Sequence, residues 1–149
     1  MANGHTVATA EATCGGLIGK LLTDNPGSSK VFKIGVAPYW NEVKVRLGVP
    51  EFVISDRGAV SREVAEALAQ AVRKWAGSTI AVAETGVAGP EGGSEVNPVG
   101  TFFIAVADSD GVVSKRVEFA YDRIGNRLAC AEAALRMLGE SAKRPPRQL

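Results

Sequence analysis

A lysine, a tyrosine and two glycine-rich turns are the groups in this sequence best suited to chemistry. Gly15 and Gly16 follow an apolar run and precede the helical spacing of residues 17–22. Exposed backbone N–H groups at such a helix start, with the helix dipole behind them, favour a phosphate or carboxylate. A tight turn without a ligand is the plain alternative. Thr85-Gly86-Val87-Ala88-Gly89-Pro90, with Gly92 and Gly93 behind it, also follows an expected strand, the place where open α/β sheets collect ligands. Its alternative is a flexible surface loop. Tyr39, Asn41, Glu42 and Lys44 form the third group. A buried lysine can lose its proton and act as general base beside an orienting tyrosine, whereas a helix lysine is more often a solvated cation.

The elements that must hold these groups are legible in the spacing. Residues 6–10 read as a short buried strand, residues 11–16 as a polar turn and residues 17–22 as a helix, which the run Asp24-Asn25-Pro26-Gly27 breaks. Residues 31–37 read as a second strand ended by Pro38, and Asn41 is placed to cap a short helix through Leu47. Ser55, Asp56, Arg57 and Gly58 read as turn. Ser61 then opens the clearest helix, with Val64, Ala65, Leu68, Val72 and Trp75 on one face and Gly77 at its end. Residues 80–83 form a third strand, and residues 85–100 a long glycine-rich loop. Two further runs, 100–107 and 112–120, flank Asp108-Ser109-Asp110-Gly111 and predict an antiparallel hairpin. The last helix spans about residues 122–141, with Leu128, Ala131, Leu135 and Leu138 inward and Gly125 a weak point near its start. This order predicts an α/β fold, a three-layer α/β/α sandwich with a mixed sheet, over residues 1–141, followed by a flexible basic tail at 142–149.

Composition narrows the function classes. A chain of 149 residues with 46% hydrophobic and 22% charged residues supports one globular core. Lys plus Arg is 17 against 16 for Asp plus Glu, a formal charge of +1, so no broad field favours nucleic acid or an anionic membrane. A small-molecule or protein partner is the better expectation. Two cysteines, Cys14 and Cys130, and one histidine, His5, match no metal-ligand spacing and no disulfide framework. No run approaches the roughly 18 apolar residues of a membrane span, and the N-terminus lacks signal-peptide character. A cytoplasmic location is the expectation.

Five motifs then carry a resemblance: Ala10-Glu11-Ala12-Thr13-Cys14-Gly15-Gly16, Tyr39-Trp40-Asn41-Glu42-Val43-Lys44, Gly58-Ala59-Val60-Ser61, Thr85-Gly86-Val87-Ala88-Gly89-Pro90 and Pro98-Val99-Gly100-Thr101. Their order resembles the CinA C-terminal domain, the nicotinamide-nucleotide amidohydrolase family, over about residues 6–139. The resemblance implies an α/β/α domain, a metal-free and cofactor-free site, a homo-oligomer, and hydrolysis of nicotinamide mononucleotide to nicotinate mononucleotide and ammonia. The family motif is Ala-Glu-Ser-Cys-Thr-Gly-Gly. Its serine, at the position of Ala12, is the nucleophile, with Lys44 matching the activating lysine, Tyr39 its helper and Thr85 a further site residue. Glu11, Thr13, Gly15, Gly16, Gly86, Ala88, Gly89, Gly92 and Gly93 would then line the substrate.

The sequence departs from the pattern at its centre. A methyl group at Ala12 cannot attack an amide. Thr13 and Cys14 stand where the family has Cys and Thr, and Glu84 stands where it has a small or apolar residue. Three readings follow: a non-catalytic relative that still binds a pyridine nucleotide or mediates assembly, an enzyme rewired to the Cys14 thiol, or hydrolysis by a positioned water with Lys44 as base. Beside a phosphate Glu84 would repel the ligand, and near Lys44 it would hold the amine protonated.

Overall fold

The first strand is β1 (Val7–Glu11), every residue of which is buried. The computed structural model describes residues 3–147 and places β1 in a five-stranded sheet of order β2-β1-β3-β4-β5. β2 (Phe32–Val36) and β3 (Ile80–Gly86) run parallel to β1 on either side, whereas β4 (Thr101–Asp108) and β5 (Gly111–Glu118) continue antiparallel from β3. The predicted hairpin is present, with Asp108 paired to Gly111. Close approach explains the glycine on the edge strand β2. A Cβ at Gly35, on β2, would lie 2.8 Å from Thr9 Oγ1 and 2.9 Å from the Phe32 ring.

Helices cover both faces, which is why β1 is buried throughout and β3 and β4 are buried up to their last residues, Gly86 and Asp108. On one face α1 (Leu17–Thr23) and α5 (Arg123–Ser141) close a core of Ile18, Val82, Phe102, Ile104, Ala134 and Leu138. On the other, α4 (Arg62–Ala76) packs Val64, Leu68 and Val72 against Ala8, Ala10, Ala81 and Ala83, with α2 (Asn41–Leu47) and α3 (Glu51–Arg57) alongside. The fold is the α/β/α sandwich with a mixed sheet. β1 sends its connection to β2 and β3 sends its own to β4, so the chain parts in opposite directions at the carboxyl ends of β1 and β3. Such a switch point is where open sheets leave a crevice.

Several expectations need correction. The stretch read as turn at Ser55 to Gly58 is the second half of α3, seven residues started after Pro50 and ended by Gly58. Asn41 is the first residue of α2 and not its cap, which is Trp40 in extended conformation without a side-chain bond. Strand β3 runs three residues further than expected, so Thr85 and Gly86 belong to the strand and the loop begins at Val87. Trp75 is 61% exposed, because the buried stripe of α4 continues through Val72 while the indole lies along an open groove with Pro38, Val43 and Leu47. Leu128 is likewise 41% exposed, at the border of a stripe formed by Cys130, Ala131, Ala134 and Leu138. Gly125 is no weak point: a Cβ there would lie 2.7 Å from Tyr121 Cβ, and Asp122 caps the helix by accepting from Gly125 N at 2.8 Å.

Past α5 the chain is tethered. Asn3 Nδ2 donates to the carbonyls of Ala142 and Lys143, His5 Nε2 meets the Arg144 carbonyl at 2.6 Å, and Arg147 Nε pairs with Asp110 at 2.9 Å. Gln148 and Leu149 of the expected tail lie outside the described residues.

Candidate functional site

Two glutamates organise the switch point from below. Glu11 and Glu84 are register partners on β1 and β3, and both are completely buried. The Glu11 carboxylate accepts from Ile18 N at 2.7 Å and from Gly19 N at 3.1 Å. The first amides of α1 are therefore answered from within the protein, which removes much of the anion-binding capacity expected at Gly15 and Gly16. Those two glycines, at φ +66° and +109°, provide the left-handed turn into the helix and remain exposed. Burial raises the Glu11 carboxyl above the usual range, against the pull of these amides.

Glu84 Oε1 accepts from Thr13 N and Cys14 N, both at 2.7 Å. Burial pushes this carboxyl up to about 7, with the Thr13 and Cys14 amides opposing the rise and the Glu11 charge adding to it. The loop after β1 is thus folded over the Glu84 side chain. An oxyanion forming at position 12 would find these two N–H groups already committed.

The two glycine-rich hollows do converge. Ala12 N donates to Glu84 O at 3.1 Å, and Thr13 Oγ1 accepts from Gly86 N at 2.9 Å and donates to Gly86 O at 3.2 Å. The second hollow is packed, not slack. Val87 and Ala88 are buried, and a Cβ at Gly93 would lie 2.9 Å from Val99 N. Gly89 and Gly92 adopt φ +86° and +89°. The first turns of α5 pin both hollows. Asn126 Nδ2 donates to Ala88 O, Arg127 donates to the carbonyls of Thr13 and Cys14, and Arg123 Nη1 donates to Gly89 O. These three residues share one face because they stand at i, i+3 and i+4. The spacing was present in the sequence, but nothing there indicated that the face looks onto the loops.

Lys44 is 3% exposed, and its Nζ donates to Tyr39 O at 3.0 Å and Asn41 Oδ1 at 3.3 Å. Burial lowers its pKa, and the Glu84 charge opposes that shift. The shift is in the direction a general base requires. Tyr39 is exposed, with its hydroxyl 3.2 Å from Arg123 Nη2, so one guanidinium joins Tyr39 to Gly89. The Thr85 hydroxyl donates to Ala59 O at 2.7 Å.

Ala12 and Cys14 diverge at the sheet edge. The Ala12 methyl belongs to the apolar cluster of the α4 face, whereas the Cys14 thiol lies completely buried in the cluster under α1 and α5 and donates to Arg127 O at 3.5 Å. The Cys130 thiol lowers the Cys14 pKa, but burial and the charges of Glu84 and Glu11 together leave it raised. An enclosed thiol of this kind is a weak nucleophile.

The family model of the CinA C-terminal domain matches residues 1–142, and the chain belongs to that family. A CinA-like protein of Geobacter sulfurreducens is 48% identical over 133 residues, covering 89% of this chain and 32% of that protein. The chain spans about a third of the length of the curated relatives it matches. The crystal structure of the competence/damage inducible protein CihA from Agrobacterium tumefaciens is 39% identical, with a TM-score of 0.88 over 91% of this chain and 84% of that one. The competence damage-inducible protein A from Klebsiella pneumoniae is 29% identical, with a TM-score of 0.91 over 96% of this chain and 89% of that one.

Proposed function

We propose that this domain binds a pyridine mononucleotide such as nicotinamide mononucleotide at the carboxyl ends of β1 and β3, and that the acyl-enzyme route to nicotinate mononucleotide and ammonia is closed. The reading is supported by the convergence of the two glycine-rich loops beside Ala12, whose side chain has no attacking atom, by the bonds of Arg123 to Gly89 and Tyr39, and by a buried Lys44 that is bonded to Tyr39 and Asn41 and feels the Glu84 charge. Arg123, with the exposed backbone at Gly92 and Gly93, supplies contacts for a phosphate. Lys44 is held in place to serve a nucleophile that is missing. Burial of the Cys14 thiol on the opposite face speaks against a thiol substitute. The family resemblance adds a homo-oligomer to this reading.

The deciding experiment measures nicotinamide mononucleotide binding by calorimetry and ammonia release for the wild type, Ala12→Ser and Cys14→Ala. Binding without turnover in the wild type, with turnover appearing in Ala12→Ser, is the expected result. Turnover in the wild type that Cys14→Ala abolishes would make it a thiol enzyme. Turnover retained in Cys14→Ala and lost in Lys44→Ala would indicate an activated water. Absence of binding in every variant would end the nucleotide reading.

A further inference from the structure

Three side chains that the proposed nucleotide site does not use meet beneath its floor. Sγ of Cys14, Sγ of Cys130 and a carboxylate oxygen of Glu84 lie within 4.8 Å of one another, and all three residues are completely buried. They come from the loop after β1, from α5 and from the end of β3, so the fold assembles what no local spacing in the sequence announces. Glu84 Oε1 holds two amides, but Oε2 is enclosed with no hydrogen-bond partner. The same buried carboxylate thus reaches two thiols and carries an oxygen without a hydrogen bond, a polar atom of the kind native interiors rarely leave without a partner.

We propose that Cys14, Cys130 and Glu84 form a buried binding site for a thiophilic divalent cation of the zinc class. Two sulfurs on a tetrahedral zinc at bonds of about 2.3 Å stand roughly 3.8 Å apart, a separation this cluster can provide with small side-chain adjustments. Two soft donors in three exclude magnesium and calcium, which take oxygen shells. The Arg127 carbonyl, which accepts from Cys14 Sγ at 3.5 Å, is the candidate fourth donor. As each metal–sulfur bond forms, the thiol releases its proton to solvent. Two thiolates and one carboxylate around a dication leave a single negative charge. The Arg127 guanidinium, bonded to the Thr13 and Cys14 carbonyls of the same loop, opposes it. Such a cation would cross-link α5 to the loop after β1 and to β3.

The test uses the full chain, reduced and stripped with chelator, then titrated with Cd²⁺ and separately with Co²⁺. One equivalent of each should bind, with a thiolate-to-cadmium charge-transfer band in the ultraviolet and the visible spectrum of tetrahedral Co²⁺ with sulfur ligands. Cys130→Ser should weaken binding at least about tenfold. Glu84→Gln, which retains an acceptor for the two amides, should do the same and serves if Cys130→Ser does not fold by circular dichroism. Absence of a saturable band in the wild type, or unchanged bands in a folded Cys130→Ser or Glu84→Gln chain, overturns the site. None of these readouts depends on nucleotide binding, so the two proposals fail separately.

Discussion

Glu11 and Glu84 face each other as register partners on parallel strands, both buried, and each carboxylate holds a different pair of main-chain amides. Glu11 closes the start of α1, and Glu84 folds the preceding loop over the end of β3. The arrangement makes two carboxyl groups neighbours in a buried interior, where burial raises the pKa of each and their amide partners oppose the rise. It also means that a single side chain, Glu84, sets the geometry of the loop on which position 12 stands.

Removing that carboxylate should therefore cost stability despite relieving the repulsion. In chelator at neutral pH, Glu84→Ala orphans two buried N–H donors and is expected to lower unfolding free energy by about 3 kcal/mol. Glu84→Gln retains one acceptor oxygen and should lose less than half as much. Urea unfolding of the three proteins compares them, and a Glu84→Ala chain as stable as the wild type would remove the organising role assigned here.

Much of this fold was visible in the sequence because hydrophobic period and turn chemistry agree there: the hairpin at Asp108 to Gly111, the α4 stripe from Val64 to Val72, and the glycine-ended turn into α1. α3 was not, since a seven-residue helix has too few turns to show a period and its Phe52 faces solvent. The candidate site was legible as motifs but not as contacts. Which amides Glu84 would hold, and that Cys14 would face Cys130, depend on strand register and on the rotation of α5, neither of which local spacing encodes.

Backbone proximity in the second hollow gives a sharper mutational test. A Cβ at Gly86 would strike the Phe102 ring and lie 2.7 Å from the Thr101 carbonyl oxygen, neither of which can withdraw from a paired strand. Gly86→Ala should destabilise by about 3 kcal/mol through overpacking. Gly139→Ala meets nothing within 4 Å on exposed α5 and should stabilise by about 0.5–1 kcal/mol from helix propensity alone. Opposite signs for the two, read from thermal or urea midpoints, are the expected outcome.

The pH profile of a revived Ala12→Ser chain should report Lys44. Its folded pKa is lowered below the ordinary 10.5, so raising the pH converts the amine to its neutral form earlier than in an exposed lysine. Below that folded pKa the amine is protonated and cannot accept the serine proton. The rate of ammonia release should rise with pH and level off above an apparent pKa under 10.5. Stability follows the same sign: between the folded and unfolded pKa values the unfolded chain binds more protons, so Lys44 contributes stability that grows with pH. Lys44→Met should flatten that growth and, in the Ala12→Ser background, reduce turnover at least about a hundredfold.

Arg123 offers the most direct check on the nucleotide reading. Arg123 is exposed, its guanidinium joined to Gly89 O at 2.8 Å and to the Tyr39 hydroxyl at 3.2 Å, and it has further N–H groups for an incoming anion. Substitution there removes one charged hydrogen bond to Gly89 O but no core packing, so Arg123→Ala should lower unfolding free energy by about 1 kcal/mol. Loss of a charge-assisted contact to phosphate should nevertheless weaken nicotinamide mononucleotide binding by about tenfold, roughly 1.4 kcal/mol. The wild-type affinity should fall as ionic strength rises and the variant's should fall less, because screening acts on the contact that only the wild type makes. Nicotinamide riboside, which has no phosphate, should bind both chains alike. Calorimetry with the two ligands at low and high salt separates these outcomes, and an Arg123→Ala chain that binds the mononucleotide as well as the wild type would place the phosphate elsewhere.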